Sequence, residues 1–419
     1  MKPENFLASS LRKKANLYMK DKNIPRLRFP GFTEPWEHRK LEDLVSQIFR
    51  EVPKPDHPYE RISVRSHAKG TFHQQVEDPD KVAMDKLFLV KENDLIVNIT
   101  FAWEHAIAVA TKEDDGLYVS HRFPTYRADG KSDIEFIHYL VSQESFRKKL
   151  ELISPGGAGR NRVMNQKAFL GLPVIVPSNI EEQHQIGMFF TTIDHTITLH
   201  QRKLDNLQKL KKGLLQKMFP KEGSSFPELR FPEFTDAWEQ RQVAELTTEL
   251  SEYATLASKL PLLTSSRMGL IYQNEYRGNL TTQNQNTLFS VVPLGAGTYR
   301  HMSDDNIFHL NLNTLEKGLV SREYPVFIAS KNNDLNFIVQ YLNSSPKFRT
   351  FCTEQKKGGT RTRLYYKTLC EFSMMIPQDA EQSKISRLLF DTDNLITLHQ
   401  RKLDDLKKLK KGLLQAMFV

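Results

Sequence analysis

Cysteine is nearly absent from this chain, with Cys352 and Cys370 the only two among 419 residues. Two thiols build neither a disulfide framework nor a zinc ribbon, which points to a reducing compartment. Long apolar runs are missing too. No stretch approaches the roughly 20 apolar residues of a membrane span, and the opening MKPENFLASSLRKKANLYMK has no apolar core followed by a small-residue cleavage site. A cytoplasmic protein with no membrane partner is the expectation.

The motifs of common active sites are lacking as well. A phosphate-cradling loop needs Gly-x-x-x-x-Gly-Lys-Ser/Thr, and the nearest match, Gly130-Lys131-Ser132, has Thr125 at the earlier glycine. The pairs Gly157/Gly159 and Gly295/Gly297 meet Arg162 and Arg300 where a dinucleotide fingerprint needs its third glycine. With no Pro-Pro pair, the chain has no Asn/Asp-Pro-Pro-aromatic motif for methylating an exocyclic amine. The 13 histidines form neither His-Glu-x-x-His nor a ligand-spaced cluster with the two cysteines. No nucleophile elbow is visible. No catalytic residue, metal ligand or bound cofactor is assigned to this chain.

What is present is length, positive charge and repetition. A chain of 419 residues exceeds one ordinary core, so two domains of roughly 150–200 residues are expected. Lys and Arg number 59 against 50 Asp and Glu, and the resulting +9 suits a nucleic-acid partner. PRLRFPGFTEPWEHRKLEDL at Pro25 matches PELRFPEFTDAWEQRQVAEL at Pro227 in 11 of 20 positions, with an offset of 202. ITLHQRKLDNLQKLKKGLLQKMFP at Ile197 matches the segment from Ile396 in 20 of 24, with an offset of 199. The chain therefore consists of tandem halves. Between these anchors VSHRFPTY (Val119) answers VSREYPVF (Val320), GGAGRNR (Gly156) answers GGTRTR (Gly358), and each half exits through a strand-like run, LPVIVP or SMMIP. Val45–Tyr118 shows no convincing counterpart in Thr247–Leu319.

The periodicities indicate mixed α/β modules. DKLFLV, DLIVNI and AIAVAT read as strands, and DIEFIHYLVSQESFRKKL has helical spacing. Ahead of the long helices stand Pro177 and Pro377. From Ile186 a heptad seam runs through Phe190, Ile193, Ile197, His200, Leu204, Leu207, Lys211, Leu214 and Met218. Its copy runs from Ile385 through Leu389, Thr392, Ile396, His399, Leu403, Leu406, Lys410, Leu413 and Met417. The polar seam residues are expected to fix register rather than to do chemistry. Leu199, Leu210 and Leu215, with Leu398, Leu409 and Leu414, widen the stripe enough for a further partner. Surface positions repeat as faithfully as the seam, which suggests two copies of one partner.

The loops at Gly156 and Gly358 are the candidate DNA contacts. Glycine lets a backbone approach closely, and arginine forks reach phosphates or guanine edges. The candidates are Gly156, Gly157, Arg160, Arg162 and Lys167 in the first half, and Gly358, Gly359, Thr360, Arg361, Arg363 and Lys367 in the second. A basic surface loop is the plainer alternative.

Taken in order, ELRFPEFTDAWEQRQVAEL opening a half, GGTRTRLYYKTL late in it and EEQHQIGMFFTTIDHTITLHQRKLDNLQKLKKGLLQKMF closing it resemble the specificity subunits of type I restriction-modification enzymes. The resemblance covers nearly the whole chain. It implies an α/β (α+β) architecture of two target recognition domains, separated by two conserved helices in an antiparallel coiled coil with pseudo-two-fold symmetry. The expected boundaries are an N-terminal extension 1–24, a first recognition domain 25–180, a central helical region 181–220, a second recognition domain 221–378 and a C-terminal helical region 379–419. It further implies that each domain reads half of a bipartite, asymmetric double-stranded DNA site, while the helices dock two methyltransferase subunits, with restriction subunits joining the full complex. Adenine methylation and DNA cleavage, with their S-adenosylmethionine, ATP and magnesium, would belong to those partners. The competing readings are a stand-alone DNA-binding or helical scaffold protein and a nuclease in its own right.

Overall fold

The computed structural model describes residues 23–156, 162–277, 286–356 and 360–419. The chain forms two compact units: Met1–His200 with Lys402–Val419, and Gln201–Arg401. The division runs through both long helices, Ile180–Lys217 and Asp379–Met417.

In the first unit, strand Glu37–Lys40 pairs antiparallel with the exit strand Pro173–Val176. A four-stranded sheet follows in the order Ser46–Ile48, Thr125–Arg127, Leu95–Val97, Ile107–Val109. A five-stranded sheet carries the hairpin Tyr59–Val64/Thr71–Val76. The second unit repeats the plan. Glu239–Gln242 pairs with Ser373–Ile376, and its four-stranded sheet has the order Thr247–Glu249, Val326–Ala329, Gly297–Thr298, Asn311–Leu312. These four strands stand in the same order as their counterparts some 200 residues earlier. The region without a recognisable sequence counterpart therefore has a structural one, because a buried strand demands apolar side chains and leaves their identity free.

The conserved frame is held by polar contacts that recur in each unit. In LRFP, Arg28 forks onto the buried Glu182 (2.5 and 2.7 Å), and Arg230 onto the buried Glu381 (2.8 and 2.7 Å). The neighbouring glutamines, Gln183 and Gln382, each accept from the backbone of a helix-capping aspartate, Asp133 or Asp334, and donate to Pro177 or Pro377 O. Those aspartates cap helices Ile134–Val141 and Leu335–Ser344. Such directional contacts tolerate few substitutions, which is why the motif is visible twice in the sequence. DIEFIHYLVSQESFRKKL is helical as its spacing indicates, in two helices, Ile134–Val141 and Glu144–Leu152. The break falls at Ser142–Gln143, where Ser142 Oγ donates back to His138 O and Gln143 is extended. The second unit makes the same break with Ser345 as cap and Pro346 as first helical residue.

Each unit also contains a pair of long-helix segments running antiparallel. In the first, Lys410 meets Asp194 at 2.6 Å, and Phe418 packs on Phe190 with ring centroids 6.2 Å apart. In the second, Lys211 meets Asp393 at 2.7 Å, and Leu214 shares a core with Leu389. The two ion pairs are equivalents in the repeat, so each seam lysine fixes the register of one helix on the other. Leu204, Leu214 and Leu403 are buried; Ile193, Ile197, His200, Leu207, Ile396, His399, Leu406 and Leu413 are half-buried along the same seam. Leu215 and Leu414 pack against the two main cores, whereas Leu199, Leu210, Leu398 and Leu409 remain about half-exposed. Among the described residues no helix is long and apolar enough to cross a membrane.

Candidate nucleic-acid interface

Beside the described ends of each candidate loop, three segments meet. In the first unit they are the hairpin tip Arg65–Gly70, the turn Ala102–Glu104 and the chain leaving the Gly156 loop. The tip is bound to the turn through backbone bonds from His67 N to Glu104 O and Ala68 N to His105 O, both 2.8 Å, and Ser66 Oγ donates to Glu104 at 2.7 Å. His67 and Ala68 take positive φ (63° and 50°), so these bonds hold a conformation that L-residues seldom choose. Arg162 lies over the Trp103 ring, 5.2 Å from its centroid, and 3.8 Å from Glu151. The buried Trp103 Nε1 has no hydrogen-bond partner, and exposed Phe101 stands beside it in sequence.

Behind the tip the hairpin is stapled by Asp114. This fully buried carboxylate accepts from Thr111 N (2.7 Å), Thr111 Oγ1 and Thr71 Oγ1 (3.0 Å each), and lies 3.0 Å from His73 Nε2. A buried charge satisfied by several donors makes a stiff joint.

In the second unit the same three places are held by the hairpin Leu263–Ser266/Gly269–Tyr272, the segment Met302–Asn306 and the strand Thr362–Arg363. Arg361 donates to Asp304 at 2.8 Å, and Arg267, at the hairpin apex, pairs with Asp305. Thr362 Oγ1 bonds Asn306. Exposed Tyr365 stacks on buried His301, with centroids 5.7 Å apart, and burial holds the His301 imidazole below the ordinary histidine range. His301 Nδ1 is buried without a partner.

Of the expected contacts, the structure therefore brings Arg162 and Arg361 onto Trp103 and Asp304, in the segment that also holds each hairpin tip, with Gly156, Thr360 and Arg363 on the same segments as the two arginines. Lys167 and Lys367 are exposed on the short helices Gln166–Leu170 and Tyr366–Cys370 that follow. Gly157, Arg160, Gly358 and Gly359 lie outside the described residues. Sequence reasoning missed the hairpin tips, Phe101, Trp103, Asp304, Asp305 and Tyr365. The basic turn RSHAKG between two strand-like runs was the available signal for one of them. A separate cleft of about 990 Å³ in the second unit is lined by Lys211, Lys212, Lys221, Lys347 and Arg349, with Glu222 its one acid.

The sequence model of the type I restriction modification DNA specificity domain matches residues 33–209 and 312–408. The chain belongs to the type I restriction-modification specificity family. This specificity subunit is 24% identical to a putative type I restriction enzyme MjaX specificity subunit from Methanocaldococcus jannaschii, across 96% of each chain. It is 21% identical to the MjaVIII specificity subunit of the same organism, again across 96% of each. Among solved structures, the S subunit of a type I restriction-modification system from M. genitalium superposes with a TM-score of 0.60 at 14% identity, covering 94% of this chain and 99% of that one. At that identity the likeness carries the fold: tandem units of mixed sheets and helices, with long helices.

Proposed function

We propose that this specificity subunit reads a bipartite, asymmetric duplex, one half-site per unit, and holds two methyltransferase subunits on the outward faces of its long helices. The observation that carries this reading is the recurrence, in both units, of a braced hairpin tip beside an arginine. The frame is conserved while tip residues differ, RSHAKG against RMG, so the half-sites are expected to differ. Arg162 and Arg361 are placed for phosphates or guanine edges, with Arg160, Arg363, Lys167 and Lys367 as further positive charge.

The docking half rests on Leu199, Leu210, Leu398 and Leu409. Eleven residues, about three helical turns, separate the members of each pair, so each pair lies on one face. Half-exposed leucines at identical places in two copies give equivalent apolar faces for equivalent partners. This chain is the non-catalytic reader and binds no cofactor itself. S-adenosylmethionine, ATP and magnesium belong to the methyltransferase and restriction subunits that assemble on it.

The test is co-expression with the cognate methyltransferase, the mass of the purified complex, and sequencing of methylated adenines. Two methyltransferases per specificity subunit and a split asymmetric motif are expected. A complex of another ratio, or methylation unaltered by deleting this chain, overturns the reading. DNA affinity should also fall with salt at a log-log slope of about −0.9 per neutralised phosphate. Cutting by the isolated chain with magnesium would favour a nuclease instead.

A further inference from the structure

The apex of the second unit's hairpin is built to expose an apolar side chain. Met268 has 94% of its surface exposed at the turn between Leu263–Ser266 and Gly269–Tyr272. A single exposed apolar residue is unremarkable on a loose loop, but this apex is anchored from three directions. Met268 N donates to Ser266 Oγ (3.1 Å), and that hydroxyl donates to Gly269 O (2.8 Å). Asn311 Nδ2 donates to Ser265 Oγ (2.7 Å) and Ser266 O (2.8 Å). Arg267 pairs with Asp305, which Ser303 Oγ holds at 2.8 Å. Leu263 at the root of the hairpin and Leu270 near its apex are buried in a core cluster.

The turn chemistry leaves the apex free for long side chains. Two-residue hairpin turns commonly place glycine or asparagine at the apex because positive φ is needed there. Here Gly269 takes the positive φ (125°), one residue on, and neither Arg267 nor Met268 needs it. A Cβ at Gly269 would meet nothing within 4 Å, so glycine stands there for its conformation. Arg267 pairs with Asp305, and Arg361 pairs with its neighbour Asp304.

A two-stranded ribbon fits the major groove of B-DNA, and the one apolar group displayed on that groove's floor is the thymine C5-methyl. From this geometry we infer that Met268 is a specificity-determining residue: the hairpin enters the major groove of the second unit's half-site and packs the Met268 thioether on a thymine methyl, with Arg267 and Arg361 beside it. The inference rests on the reading of this chain as a DNA reader and adds the base it selects and the residue that selects it.

The experiment uses the full chain in complex with its methyltransferase, and duplexes carrying the motif found by methylation sequencing. Each thymine of the motif is replaced in turn by deoxyuridine, which removes only the methyl. Binding is measured at fixed salt for wild type and Met268→Ala. One replacement should weaken wild-type binding about fourfold, the worth of one buried methyl. Met268→Ala should lose a similar factor on the unmodified motif and be indifferent to uracil at that position, while its affinity for scrambled DNA stays unchanged. Undiminished sensitivity to every thymine in the variant, or a motif without thymine, overturns the inference and leaves the DNA-reading assignment standing. A wild-type complex that does not prefer the motif to scrambled DNA removes that assignment and the thymine contact with it.

Discussion

Removing the carboxylate of Glu381 should unlock the second unit and leave the first intact. Glu381 is 1% exposed and receives both arms of the Arg230 guanidinium, itself only 14% exposed. Glu381→Ala leaves that guanidinium buried without an acceptor, a loss of about 3–5 kcal/mol for breaking a buried pair from one side. The matching change, Glu182→Ala, should cost about 1 kcal/mol more, because Trp36 Nε1 also donates to Glu182 at 3.3 Å and would lose its partner. Hydrogen exchange with mass spectrometry reports the units separately. A loss of 3 kcal/mol raises exchange about 100-fold in helix Leu335–Ser344 and strand Ser373–Ile376, while helix Ile134–Val141 serves as the internal control. Replacing both partners, Arg230→Met with Glu381→Met, should recover most of the protection, since an apolar pair pays no desolvation cost. A loss below about 1 kcal/mol for Glu381→Ala, or equal exchange in the control helix, would refute the view that this pair locks its own unit.

Leu199→Glu with Leu398→Glu should abolish methyltransferase binding in a pull-down while circular dichroism stays unchanged; retained binding would move the dock elsewhere. Gly187→Ala should lower the melting temperature through a loss of about 1–3 kcal/mol. Its Cβ would fall 2.7 Å from the backbone nitrogen of Phe136, so the long helix would have to shift. An unchanged melting temperature would mean the helix yields freely. Acidification should destabilise the protein. Burial lowers the His105 pKa and outweighs the Val141 carbonyl oxygen, 2.6 Å from its Nε2, which favours the charged form. Below about pH 6.5 the unfolded chain therefore takes up a proton that the folded one refuses, and stability present above that value is lost. Denaturant midpoints at pH 7.5 and 5.5 should differ in that direction, and less so in His105→Gln.

The parts legible in the sequence were those fixed by directional contacts. Arg28 and Arg230, Gln183 and Gln382, and the capping aspartates Asp133 and Asp334 recur because each is held by directional hydrogen bonds to matching partners in both units. The heptad seam was legible for the same reason, with Lys211 and Lys410 each finding its aspartate. Two strands of the first inner sheet, Leu95–Val97 and Ile107–Val109, were legible in DLIVNI and AIAVAT, but the equivalence of the two sheets was not, since Leu95–Val97 and Gly297–Thr298 occupy equivalent places with unlike side chains. The helix break at Ser142 hid inside an unbroken apolar period. Hairpin tips such as Arg267–Met268 were least visible, being exposed and free of packing constraints, and their neighbours Asp304 and Asp305 are about 37 residues away in the chain.

The lead-in of each unit is tied to the end of a long helix: Leu229 N donates to Lys217 O at 2.8 Å, and Leu27 N to Ala416 O at 2.9 Å. In the second unit the tie spans a short loop. In the first it joins Leu27 to Ala416, 389 positions apart, and Phe418 completes an aromatic cluster with Trp36 and Phe136. On the ribosome the second unit, contiguous from Gln201 to Arg401, can therefore close before the first. At about 5–20 residues per second, the wait from Leu27 to Ala416 is roughly 20–80 seconds. Throughout it Trp36 and Phe136 lack the Phe418 ring that packs on them, so the half made first is the half finished last, after a delay set by the speed of translation.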